Sequence, residues 1–159
     1  MKDSSGRGFT LIELVVTVAI VGILAMAAMP MMEMTAKRQK ETELRAALRE
    51  LRGGIDAYRR AATEGKVEKK ADESGYPRRL EDLVQGVENM LDPGKGKLLF
   101  LRRLPRDPFS ADPALSAAQT WGKRSYGSPP DAPVEGSDIF DVYSLSTGSG
   151  LNGIAYREW

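Results

Sequence analysis

Apolar and polar positions divide the chain into stretches of different rhythm. From Leu14 to Met32 the string LVVTVAIVGILAMAAMPMM runs for nineteen residues without a charge. At the α-helical rise this predicts a helix of about 30 Å, the thickness of the hydrocarbon core of a bilayer. A buried helix of a water-soluble domain would carry a polar stripe, whereas this run is apolar all round. A cleaved secretory signal has an apolar region of only about 7–15 residues, although the small residues from Ala25 to Ala28 would suit ordinary signal cleavage. Beyond the run the rhythm changes. Leu44, Leu48, Leu51, Ile55 and Tyr58 recur at steps of four, three, four and three, which puts them on one face of a helix.

Glu41, Arg45, Arg49, Glu50, Arg52 and Arg59 occupy the other faces, with Glu41 and Arg45 in the favourable i,i+4 order. These faces are expected to meet solvent or a neighbouring molecule, while the apolar stripe seats a globular head. Gly53 and Gly54 each weaken the helix by up to about 1 kcal/mol relative to alanine, and the helix is still expected to reach about Ala62. The charged stretch from Thr63 to Ser74 then reads as an exposed loop. A short helix is expected from about Arg79 to Val87. Strands are expected over about Trp121 to Tyr126, Ile139 to Leu145 and Ile154 to Arg157. The fold class that follows is α+β: a long N-terminal helix, half membrane-spanning and half amphipathic, packed on a small C-terminal antiparallel sheet.

Composition narrows the chemistry. The 159 residues include neither cysteine nor histidine. Disulfides, thiol nucleophiles and thiolate metal sites are therefore out, and so are the usual general base and the commonest metal ligand. Lysine and arginine number 23 against 22 aspartates and glutamates, so net charge offers no attraction for nucleic acid and none is expected as a partner. The acidic residues mostly alternate with basic ones, as solvated faces do, and catalysis is not expected. Met26, Met29, Met31, Met32 and Met34 could suggest copper ligation, but flexible apolar filler against lipid or other helices is the simpler reading.

Lys2 and Arg7 precede the apolar run and by the positive-inside tendency hold the N-terminus in the cytoplasm, leaving the rest of the chain on the other side. Glu13, between Ile12 and Leu14, stands at the edge of the run. A charge within a span costs on the order of 2.5–3.5 kcal/mol. Glu13 therefore either lies hydrated at headgroup level or needs a cationic partner or a proton.

The string Gly8-Phe9-Thr10-Leu11-Ile12-Glu13, after a short basic leader and before a long apolar run, resembles the class III signal of type IV pilins and type II secretion pseudopilins. Weaker head motifs narrow the resemblance to the major, G-type pseudopilins: Tyr58 followed by Gly75-Tyr76-Pro77, the string LPRDPF, Trp121-Gly122, the string DIFDVYS and Trp159. The absence of cysteine agrees, since many true pilins close their C-terminal region with a disulfide.

The resemblance implies residues 1–8 as a prepilin leader, 9–32 as a transmembrane and assembly helix, 33–62 as the amphipathic half of that helix, and 63–159 as a periplasmic head. It implies cleavage after Gly8 by a prepilin peptidase, N-methylation of Phe9, and pairing of Glu13 with the free amine of Phe9 on a neighbouring subunit. It also implies loosening of the helix between Gly22 and Pro30 on assembly. The implied partners are further copies in a helical filament, minor pseudopilins, an inner-membrane platform protein and assembly ATPase, the outer-membrane secretin system, and the lipid of a bacterial inner membrane. The implied function is a structural subunit of the type II secretion pseudopilus, driving protein export across the outer membrane. A type IV pilin for adhesion, twitching or DNA uptake shares every N-terminal feature, and a monomeric periplasmic domain on an uncleaved anchor is the reading from another class.

The sequence departs from the family at one point. G-type pseudopilins usually bind calcium in the loop before their last strand, and here no acidic residue lies between Asp141 and Glu158. Ser144, Ser146, Thr147, Ser149 and Asn152 are the candidate donors, all neutral. A tight turn held by its own hydrogen bonds is the expected alternative.

Overall fold

The computed structural model describes residues 9–159, apart from the side chains of residues 27–30; residues 1–8, the expected leader with Gly8, lie outside the described residues. The chain forms two compact units, one up to Gln39 and one from Lys40 to Trp159.

In the first unit, helix α1 (Leu11–Thr63) begins where Thr10 and Glu13 stand three residues apart. The Glu13 N–H donates to Thr10 Oγ1 at 3.3 Å, and the Leu14 N–H donates to the Thr10 carbonyl at 3.2 Å. A threonine that accepts from the third helical N–H is an N-cap, which sets the first helical residue. The helix is unbroken through Gly22 and Pro30. Thr17 and Thr35 donate their hydroxyls to the carbonyls of Leu14 and Met31, each at 2.9 Å. Their polarity is thus satisfied inside the helix, as an apolar solvent requires. An 18-residue window here has a mean hydropathy of 2.6, long and apolar enough to cross a membrane, and none of it is buried.

In the second unit, the expected stripe on α1 faces inward: Leu44, Leu48, Leu51, Ile55 and Tyr58 are all buried. Burying each large side chain contributes about 1.5–3 kcal/mol, more than each helix glycine costs, so the helix passes Gly53 and Gly54 intact. Gly54 also serves the packing, because a Cβ there would come within 2.9 Å of Leu101 Cγ. After Thr63 the chain reverses at Gly65, whose φ is +73°. The N–H groups of Gly65 and Lys66 return to the carbonyls of Ala62 and Ala61 at 3.2 and 2.9 Å, a Schellman closure.

The head departs from expectation in three places. The helix expected over about Arg79 to Val87 is a single turn, α2 (Asp82–Gln85), ended by Gly86 at φ +77°. Past that glycine the chain is extended, and β1 (Val87–Glu88) pairs antiparallel with β2 (Lys97–Leu98), a hairpin the sequence reading missed. Two of the expected strands form: β3 (Trp121–Arg124) lies antiparallel to β4 (Asp141–Ser144), with Trp121 opposite Ser144 and Arg124 opposite Asp141. The third does not. Ser149 and Ala155 make one isolated bridge, and Tyr156–Glu158 coils into a 3-10 turn. The turn brings the Tyr156 ring onto Phe109, at 4.1 Å and 24°. Leu80, Leu83, Trp121, Ile139, Val142 and Tyr156 complete the core against the α1 stripe.

Candidate functional site

Two regions answer to the residues singled out by sequence. At the start of α1, Phe9 and Glu13 are both exposed, and Phe9 retains 78 % of its accessible surface. Glu13 is the third residue of the helix, where uncapped N–H groups and the helix dipole favour an anion by about 0.3–1 kcal/mol. The dipole therefore offsets only part of the cost of a charge at the edge of an apolar span. Among the described residues Glu13 makes no ion pair. Gly22 lies in the same helix with no non-local atom within 4 Å of an added Cβ, so nothing in the described chain packs on its bare face.

The other region is the segment after β4. Ser144 is fully buried, and its hydroxyl donates to the Asp107 carboxylate and accepts from the Ser146 N–H at 3.1 Å. Ser146 Oγ accepts from the Gly148 N–H at 3.3 Å, and Asn152 Oδ1 accepts from the Ile154 N–H at 3.1 Å. Thr147 and Ser149 are exposed. Calcium takes six to eight oxygens, most often with carboxylates among them. Two acids beside Ser144 and β4 are engaged: Asp107 also accepts from the Phe109 N–H at 2.8 Å, and Asp141 takes Arg52 at 2.8 Å and Arg124 at 3.4 Å. Among the described residues no three acidic side chains cluster as a metal site. The donor set present does not fit a calcium shell.

What organises this segment is a group the sequence reading assigned to an outward face. Glu41 is only 7 % exposed. One carboxylate oxygen, Oε1, accepts from the Leu151 N–H at 2.8 Å and from the Tyr156 hydroxyl at 3.1 Å. Burial, and then the hydrogen bond and negative charge of Glu41, push the Tyr156 hydroxyl up to about 12. Arg45, expected to pair with Glu41, instead lies over the Trp159 ring at 4.3 Å. Arg52 reaches Asp141, and its Nη2 donates to the carbonyls of Val142 at 3.2 Å and Trp159 at 2.8 Å. Residues 41, 45 and 52 thus form one edge of α1 that clasps the chain from Asp141 to Trp159. Their spacing places them beside the apolar stripe, and that flank position was the one available signal. Asp107, inside the string LPRDPF, was likewise missed as a buried ligand of backbone and hydroxyl groups.

Comparison with known proteins bears on both regions. Residues 4–29 match the model of the prokaryotic N-terminal methylation motif, which spans Phe9 and Glu13. The chain is 27 % identical over 154 residues to type II secretion system core protein G of Dickeya chrysanthemi, covering 92 % of each chain. It is 29 % identical over 149 residues to the core protein G of Klebsiella pneumoniae, covering 87 % of this chain and 95 % of that one. A third relative of the same name, from Klebsiella michiganensis, is 27 % identical over 142 residues. No solved structure matches.

Proposed function

We propose that this chain, which resembles the G-type pseudopilins from its leader to its last residues, is a structural subunit of a type II secretion pseudopilus. The observation that carries the reading is a likeness to core protein G that covers nine-tenths of both chains and is joined to a methylation motif at the right end. The motif implies that a prepilin peptidase removes residues 1–8 and that Phe9 becomes the methylated first residue. The apolar helix then stays in the inner membrane, with the head in the periplasm. Copies polymerise with minor pseudopilins, driven by a platform protein and ATPase, and the fibre moves cargo toward the outer-membrane channel. The chain's own part in this is assembly, not catalysis.

Glu13 is the assembly residue. Two opposite charges that are each poorly solvated in lipid attract strongly when brought together, and removing one leaves the other uncompensated. The amine of Phe9 on an adjacent subunit supplies the cation that the helix dipole alone does not replace. Helix loosening between Gly22 and Pro30, if it accompanies polymerisation, would let neighbouring helices adjust their stagger.

Mass spectrometry of the mature N-terminus tests the first step: methylated Phe9 is expected, and intact Met1 would make the chain a plain anchored protein. Deleting the gene separates secretion from a type IV pilus. Loss of an exported protein with twitching and transformation intact is the expected outcome, and the named relatives favour it.

A further inference from the structure

We infer that Glu41 is a carboxylate latch that folds the C-terminal loop in place of a bound cation, so that the head needs no calcium. The loop between β4 and the last 3-10 turn, LSTGSGLNGIA, carries no charge, and its large apolar side chains, Leu145, Leu151 and Ile154, stay exposed and do not anchor it in the core. Something outside it must fix its path. Glu41 Oε1 does so by drawing together two donors five residues apart, the Leu151 N–H and the Tyr156 O–H.

The polarity of those partners decides between latch and metal site. A cation is held by converging oxygens. Here the groups that converge on the buried carboxylate are hydrogen-bond donors, whose positive ends would face a cation placed among them. Three backbone N–H groups of this segment are spent on loop carbonyls. The Gly150 N–H donates to the Ile154 carbonyl at 2.8 Å, the Gly153 N–H to the Gly150 carbonyl at 2.9 Å, and the Tyr156 N–H to the Gly148 carbonyl at 3.1 Å. Gly150 is itself buried under the Trp159 ring, where an added Cβ would collide with Cζ2. Arg52 completes the clasp at the other end by holding the Trp159 carbonyl. A negative charge that arrives from α1 and is answered by an N–H and a phenol does locally what a positive ion answered by oxygens does elsewhere: it ties remote backbone to one point.

The test uses the full chain in detergent micelles, followed by thermal melting with added calcium or with EDTA and by hydrogen exchange of the peptide containing Leu151. The melting temperature of the unaltered protein is expected to be the same in calcium and in EDTA. Glu41→Ala is expected to speed exchange at Leu151 by about tenfold, the size of one lost charge-assisted bond, and calcium should not slow it again. Glu41→Gln, which keeps the shape and one acceptor, and Tyr156→Phe, which keeps the charge and removes one donor, are expected to fall between. They decide the matter if the alanine variant does not fold. A calcium-dependent rise in melting temperature of the unaltered protein would overturn the inference. So would exchange at Leu151 that none of the three variants changes.

Discussion

Glu13 and Glu41 are carboxylates on the same helix with opposite situations. Glu13 is exposed with no ion pair among the described residues, whereas Glu41 is buried and satisfied by Leu151 and Tyr156. The satisfied one has a readable pH signature through its partner. Tyr156 releases its proton at about 12 against an ordinary 10.0. The folded value is the higher, so this stabilisation is whole below about pH 10 and is lost as pH rises toward 12, because the unfolded chain ionises first. The loss amounts to about 2–3 kcal/mol. Tyr58 adds to the same trend, being raised by burial and then by Asp82 and Glu73. Urea unfolding between about pH 9.5 and about pH 11.5 should therefore show a shallower fall in stability for Tyr156→Phe than for the parent; parallel curves would contradict the assignment. Asp107 is the second buried acid to probe. Asp107→Ala leaves the Phe109 N–H and the Ser144 hydroxyl without their acceptor and should cost about 1–3 kcal/mol in the same measurement.

Along α1 the glycines separate propensity from packing. An added Cβ at Gly53 meets nothing within 4 Å, whereas one at Gly54 meets Leu101. Gly53→Ala should therefore stabilise the head by about 0.5–1 kcal/mol, while Gly54→Ala should gain less or lose, the helix preference being set against the displaced leucine. Thermal melts of the two variants side by side check this, and equal shifts would mean that Leu101 does not seat on Gly54. The end of the chain makes a related point about elements. Ile154 to Arg157 has strand-like residues, yet the Tyr156 ring stacks on Phe109 and its hydroxyl reaches Glu41. Those two contacts draw the backbone out of a ladder and into a turn.

For the whole molecule, the proposed role divides the work between the two units, a helix that anchors and assembles and a head built around Glu41, Arg52 and Asp107. Glu13→Leu should separate them. Its head is expected to melt as the parent does and the chain to insert in the membrane, while filaments seen by electron microscopy on overexpression become rare. Normal filaments from this variant would falsify the proposed pairing with Phe9.

Much of this protein was written in local order. The uncharged run, the stripe from Leu44 to Tyr58, and the strands at Trp121 and Asp141 follow from periodicities of 3.6 and 2, which depend on which neighbours share a face and on nothing farther away. The N-terminal methylation motif likewise needs only adjacent residues to be recognised. The hairpin from Val87 to Leu98, the final 3-10 turn and the inward turn of Glu41 and Arg52 were decided in three dimensions. The hairpin pairs residues only 9 to 11 apart once Gly86 has ended α2, whereas the two charged residues depend on partners far along the chain: Glu41 on residues 110 and 115 positions away, Arg52 on one 107 away. A charged residue on the flank of an apolar stripe has the same local pattern whether it faces water or a buried amide, and only the packing of the distant segment selects between them.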